Sequence, residues 1–251
     1  MAILITNDDG VHAPGIKALA AALSTVAPVY VVAPVEERSG CSHSVAIGKT
    51  FDMIKLDERT YALASTPADC VRAGLLGLIT DDTIDLVVCG INRGMNVGYD
   101  IHYSGTVAGA REACIGDVSS LAVSLNNYSA DADYTAAAGI ARAMVKQLYA
   151  EGYTNGKRIF LNMNVPDLPA NKIKGVRKTV IARRIYKDYF TIKETNGSTS
   201  VVTFSGAIPD GDRDEHTDFG AVLGGYISVT PLSLRYETPA DDIAPLMRGL
   251  V

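Results

Sequence analysis

Up to about Pro169, short apolar runs alternate with stretches of helical spacing. Ala2 to Thr6 reads as a buried strand, and from about Gly15 the residues Ile16, Leu19, Ala20 and Leu23 recur at the 3.6-residue period of a helix. Val29 to Ala33, Tyr61 to Ala64, Asp85 to Cys89, Leu121 to Leu125 and Arg158 to Val165 predict further strands. Thr66-Pro67-Ala68-Asp69 has the form of a capped helix start, with Val71, Leu75, Leu78 and Ile79 as the face to be buried. A longer helix is predicted from about Ala132 to Glu151, with Tyr134, Ala137, Ala138, Ala141, Val145 and Leu148 on one side. This alternation predicts an α/β fold, a doubly wound, mostly parallel, Rossmann-like sheet.

Beyond Pro169 the pattern changes. Val176 to Ile181, Tyr189 to Lys193 and Val201 to Ser205 read as strands in an antiparallel excursion, with a hairpin turn at Asn196-Gly197. Tyr226 to Pro231 reads as a returning strand and the segment from Ala240 as a terminal helix. The expected organisation is a catalytic core over 1–182, a β-hairpin arm over 183–225, and the returning strand and helix over 226–251. Lys172 to Lys193 is strongly basic and Asp210 to Asp218 strongly acidic; the two segments either pair arms between subunits or are solvated loops.

A chain of 251 residues can bury one large core. Its net charge of -5 argues against a nucleic-acid polymer as the main partner, though not against small phosphorylated ligands. Cys41, Cys70, Cys89 and Cys114 lack the paired spacing of zinc or redox motifs and read as reduced thiols. The start of the sequence shows no basic leader, and no run of about 18 apolar residues occurs, so no membrane association and a cytoplasmic location are expected.

In a parallel sheet, ligands bind at the carboxyl ends of the strands. The first such loop is Asn7-Asp8-Asp9-Gly10, where Gly10 lets the backbone bend so that both carboxylates approach one site. A divalent cation would relieve their repulsion, while the alternative is a polar turn that ends a strand. In the second loop, Pro34 to Ser44, Ser39 offers a neutral oxygen and Gly40 an approach for an anion, whereas Glu36, Glu37 and Ser42 read as solvated and His43 as a hydrogen-bonding residue. The third runs from Gly90 through Asn92, Arg93 and Asn96 to Tyr103-Ser104-Gly105-Thr106, which opens a helix. Helix N-termini favour phosphate, but Ser104 or Thr106 could equally be a cap, and Asn92 and Asn96 could ligate a metal or stabilise turns. No Walker loop and no dinucleotide glycine fingerprint is present.

Taken in order, Asn7-Asp8-Asp9-Gly10, Ala33-Pro34 with Ser39-Gly40, Thr66-Pro67-Ala68-Asp69-Cys70, Gly90 to Asn96, Tyr103-Ser104-Gly105-Thr106 and Ser228-Val229-Thr230-Pro231-Leu232 resemble the survival protein SurE family of metal-dependent 5'/3'-nucleotidases over the full chain. The resemblance implies one divalent metal ion, Mg²⁺ or Mn²⁺, bound by Asp8, Asp9, Ser39 and Asn92, with Asp8 and Asp9 catalytic. It also implies phosphate contacts from Gly40, Asn96, Ser104, Gly105 and Thr106. The implied substrates are nucleoside 5'-monophosphates, with 3'-monophosphates and short polyphosphate as further candidates. The implied assembly is a homodimer or homotetramer made through exchanged arms, here Tyr186 to Phe219. A non-catalytic nucleotide sensor on the same fold is the alternative. An aspartyl-phosphate phosphatase is disfavoured, because its two acids would stand two residues apart.

Overall fold

The structure is a computed structural model that describes residues 1–207 and 209–235. In chain order its elements are β1 (Ala2–Thr6), α1 (Pro14–Leu23), β2 (Val29–Pro34), β3 (Met53–Lys55), β4 (Thr60–Leu63), α2 (Pro67–Ala73), β5 (Ile84–Arg93), α3 (Gly105–Ile115), β6 (Ser119–Leu125), α4 (Thr135–Ala150) and β7 (Phe160–Val165). There follow β8 (Val176–Lys178), β9 (Arg184–Ile185), β10 (Asp188–Asn196), β11 (Thr199–Gly206), β12 (Asp210–Gly211), α5 (Asp218–Leu223) and β13 (Ile227–Pro231). The main sheet has the order β3-β4-β2-β1-β5-β6-β7-β13-β8. Strands β4 through β7 of that order run parallel, with β3 antiparallel to β4 at one edge and β13 antiparallel to β7 near the other. The expected doubly wound, mostly parallel sheet is therefore present.

The winding direction reverses beside β1. The chain first builds outward from β1 to β2 and β4, then returns to lay β5 against the opposite side of β1. The crevice beyond the ends of β1 and β5 is thus the topological switch point where such sheets take their ligands.

Because the central strands are covered on both faces, β1 is buried along its whole length, as are β6 and β7. On one side Ile3, Ile5, Val88, Leu121 and Met163 pack with Ile16 and Leu19 of α1 and Ala137, Ala141 and Val145 of α4. On the other, Leu4, Val32, Val87 and Cys89 pack with Cys70 and Val71 of α2 and Val107, Ala110 and Ala113 of α3. Pro14 opens α1 where its missing N–H is not needed, and Thr66 caps α2 by accepting the Asp69 N–H at 3.2 Å.

Several expectations change in detail. The second helix ends at Ala73 and passes into a wide turn over Gly74–Leu78, where Gly77 adopts φ 139°; Leu75, Leu78 and Ile79 are consequently only half-buried. The strand expected over Val176 to Ile181 stops at Lys178, with Val180 joined to Thr217 by an isolated bridge. Strand β3 and helix α5 were not anticipated. The basic and acidic segments meet within one chain, where Arg177 Nη2 lies 2.7 Å from Glu215 Oε2. The terminal helix expected from Ala240 falls outside the described residues. Among those residues no helix is long and apolar enough to cross a membrane.

Candidate active site

The tetrapeptide after β1 turns sharply. Asn7 donates its side-chain N–H to the Gly10 carbonyl at 2.9 Å, and Gly10 has φ +98°, a backbone region that other residues enter only with strain. The turn is a polar strand end, as one reading of the sequence held, and it also presents Asp8 and Asp9 at the switch point.

Asp8 is almost wholly buried and accepts the Thr106 hydroxyl at 2.5 Å, with the main-chain N–H groups of Thr106 and Gly105 also supporting it. Burial nevertheless raises its pKa above the ordinary aspartate value. Asp9 is half-buried and takes the Arg93 main-chain N–H on Oδ2 at 3.1 Å. Its pKa is pushed up to about 6, first by burial and then by repulsion from Asp8. Two adjacent carboxylates that both resist ionisation constitute a site in want of positive charge.

Helix α3 approaches that pair end-on. A Cβ on Gly105 would lie 2.8 Å from Asp8 Cβ and 2.9 Å from Cys41 Sγ, so only glycine allows this separation. Ser104 is the N-cap, accepting the Val107 N–H at 3.1 Å. Thr106 Oγ1 gives its single proton to Asp8 and stands 3.4 Å from Asn92 Oδ1. Asn92 donates its amide N–H to the Gly94 carbonyl at 2.8 Å, which turns its carbonyl oxygen toward Thr106, the residue whose hydroxyl holds Asp8. Asp8, Asn92 and Thr106 therefore converge at one point, with Asp9 adjoining in sequence and on the same strand end.

The remaining predicted residues bond to other partners. Asn96 is fixed by its backbone, its N–H donating to Asn164 Oδ1 at 2.8 Å and its carbonyl accepting from Asn162 and Asn164 at 2.8 and 2.9 Å. Its side-chain amide donates to Ser124 at 3.0 Å. Ser39 and Gly40 are exposed, and Ser39 donates its hydroxyl to Glu37 Oε1 at 2.6 Å. Their loop is tied to the first by the Arg38 N–H, which donates to the Asp8 carbonyl at 2.7 Å. His43 bonds Glu112 at 2.6 Å, in keeping with a hydrogen-bonding role, and Ser42 reaches the His102 carbonyl at 2.6 Å.

Sequence reasoning passed over several contributors. Asp9 lines a cavity of about 170 Å³ together with Pro14, Glu37, Arg93 and Tyr134. Glu37 is exposed, as its reading as a solvated charge expects, and it also lines this cavity. Asn162 and Asn164 are fully buried in a strand, and their alternation with Met163 was the signal that one face of β7 carries a polar task. Among the described residues no group of three or more His, Cys, Asp or Glu side chains converges to hold a metal. A cation here would draw on neutral oxygens as well as the two acids.

A family model described as Survival protein SurE matches residues 3–188. The chain is 40% identical over 239 residues to the 5'-nucleotidase SurE of Syntrophomonas wolfei, covering 92% of this chain and 88% of that protein. It is 42% identical over 234 residues to the protein of the same name from Geobacter sulfurreducens, covering 93% and 88%. The crystal structure of the Sure protein from Aquifex aeolicus superposes with a TM-score of 0.81 at 35% identity, covering 95% of each chain.

Proposed function

The chain belongs to the SurE family of survival proteins, and on that premise we propose that it is a 5'-nucleotidase, hydrolysing nucleoside 5'-monophosphates to nucleoside and phosphate. The observation that carries this reading is the meeting of Asp8, Asn92 and Thr106 at the N-terminus of α3, beside a second acid whose pKa stands at about 6.

A hard divalent cation, Mg²⁺ or Mn²⁺, fits this donor set, which is all oxygen and carries two negative charges to be neutralised. Asp8, Asp9 and Asn92 would hold it, with Ser39 as a fourth donor. When bound, such an ion polarises the phosphate and lowers the pKa of a bound water. The chain's own residues supply the rest. The Thr106 hydroxyl holds Asp8, which preorganises its carboxylate. The positive end of the α3 dipole favours charge on the phosphate oxygens. Asp9, exposed to the cavity it lines, can orient the attacking water. The reading includes in-line attack without a phosphoenzyme, since Asp8 is already engaged by Thr106.

The proposal extends to 3'-monophosphates and short polyphosphate as candidate substrates. It includes a cytosolic setting, for which four free thiols are suited. It also includes a homodimer or homotetramer built through the arm. Strands β10 and β11 support that role, because Phe190 pairs with Phe204 and Ile192 with Val202 on one face, and all four side chains are exposed. An isolated hairpin with an open apolar face is marginal alone and gains stability when covered.

The test is a panel of nucleoside 5'- and 3'-monophosphates and polyphosphate, assayed for phosphate release with Mg²⁺, Mn²⁺ or a chelator. Asp9→Ala is expected to lose metal-dependent release by at least about a hundredfold while keeping its circular dichroism. Nucleotide binding without release under every metal condition would establish the sensor instead.

A further inference from the structure

In the cation site proposed above, each donor that carries a proton must direct that proton away from the ion. Asn92 meets this condition by donating its amide to the Gly94 carbonyl at 2.8 Å, which leaves its oxygen facing the Thr106 hydroxyl at 3.4 Å. Ser39 faces the same demand more acutely. A hydroxyl oxygen that gives lone-pair density to a cation becomes a stronger proton donor, and it binds best when a neighbouring acceptor oxygen takes that proton.

We propose that Glu37 is that acceptor, a positioning residue that takes the hydroxyl proton of Ser39 and so turns the Ser39 oxygen toward the cation, with Arg93 steadying the Glu37 carboxylate. This rests on the reading of Asp8, Asp9, Ser39 and Asn92 as a divalent-cation site. Ser39 Oγ donates to Glu37 Oε1 at 2.6 Å, and the same Oε1 lies 3.6 Å from Arg93 Nη2. Arg93 is itself anchored to the site, since its main-chain N–H donates to Asp9 Oδ2 at 3.1 Å. On the other flank, the residue between Glu37 and Ser39 is held by Asp8, whose carbonyl accepts the Arg38 N–H at 2.7 Å. The segment bearing Glu37 and Ser39 is therefore tied to both aspartates, to one through its own backbone and to the other through Arg93. Glu37 also lines the cavity that contains Asp9. Both Glu37 and Ser39 are exposed, so the bond between them is worth little to folding and its removal leaves the core intact.

The experiment measures Mn²⁺ affinity directly, by electron paramagnetic resonance of free Mn²⁺ or by calorimetry, on the full-length protein without substrate. Glu37→Ala is expected to weaken Mn²⁺ binding about tenfold, the low end of what an outer partner of a metal ligand contributes, because this one is exposed. Glu37→Gln, which keeps an acceptor oxygen but no charge, should retain most of the affinity. Adding Glu37→Ala to Ser39→Ala should cost nothing beyond Ser39→Ala alone, as expected when one residue acts through the other. The proposal is overturned if Glu37→Ala leaves affinity unchanged, if Glu37→Gln is as weak as Glu37→Ala, or if the loss persists in full in the Ser39→Ala background. Either of the last two results would mean that Glu37 acts only as a nearby negative charge. A wild-type protein that binds no Mn²⁺ at all would remove the cation site itself, a failure separable from these because it appears before any substitution.

Discussion

The switch point and the hairpin depart from ordinary protein construction in opposite directions. At the end of β1, polar groups are buried: Asp8, Asn96, Ser104 and Thr106 are all nearly inaccessible. Along β10 and β11, apolar groups are exposed: Phe190, Ile192 and Phe204 are each at least 60% accessible. Each arrangement is costly alone, the first through desolvated charge and the second through hydrated hydrocarbon. The difference teaches what each region lacks. A buried carboxylate held by a hydroxyl, with a half-buried one beside it, is stabilised by positive charge, whereas an open apolar face on a two-stranded ribbon is stabilised by cover.

The sharpest way to break the first half of this contrast is Gly105→Ala. The added Cβ would meet Asp8 Cβ at 2.8 Å and Cys41 Sγ at 2.9 Å, so either the carboxylate or the helix must move. Displacements of that size typically cost about a hundredfold in turnover. Thermal stability should fall by about 1–3 kcal/mol, as for other overpacked sites. Phosphate release and a thermal melt measured on one preparation check both; wild-type turnover would show that the close contact between α3 and Asp8 has no catalytic meaning.

How much of this was readable beforehand depends on where each residue's partners lie. Asp8 and Asp9 follow a strand whose every position is apolar or small, and the position after a parallel strand is where function is sought, so the acids were visible from local pattern. Thr66 and Ser104 were legible as caps for the same local reason. Asn96 was visible as a candidate in its loop, but its anchoring was not, because that is set by Asn162 and Asn164, 66 and 68 residues away, and what they hold is its backbone. Asp218 was hidden similarly: within an acidic stretch it read as solvated or intersubunit charge. It is instead fully buried, receiving the N–H groups of Gly98, Ala182 and Phe219. Strand β3 left no trace because all three of its residues are exposed at the sheet edge, and exposure erases the alternation from which strands are read.

Acidity sharpens the contrast without any mutation, because the switch point holds an acid whose pKa burial and a neighbouring carboxylate have raised. Burial and Asp8 push Asp9 up to about 6 from the ordinary aspartate value of 3.8, so between these values the folded metal-free protein holds a proton that the unfolded chain has lost. This group therefore favours folding at low pH, and its contribution is lost as pH rises through about 6. Mn²⁺ binding has the opposite dependence, since the ion must displace that proton. Affinity should fall by at least about tenfold per pH unit below the pKa, more if Asp8 also gives up a proton, and level off above it. Calorimetric titration with Mn²⁺ at a series of pH values tests this; an affinity independent of pH across the window would mean that Asp9 does not contact the ion.

A change confined to the hairpin has the smallest expected effect on catalysis. Phe190→Ser with Phe204→Ser removes the largest cross-strand pair of its open face, whose ring centroids are 6.2 Å apart. If a second copy covers that face, each lost ring weakens the association by about 1.5–3 kcal/mol, and light scattering during gel filtration should register a shift toward smaller species. Phosphate release per chain should stay at the wild-type level, because the root of the arm is untouched. There Tyr186 donates its hydroxyl to Asp100 at 2.6 Å, and the Asp100 carbonyl accepts the N–H groups of Tyr103 and Ser104 at 3.0 Å. Turnover that fell in step with assembly would erase the boundary between the two regions. The strain would then pass through Asp100 to the start of α3, and the arm would belong to the active site as well as to the interface.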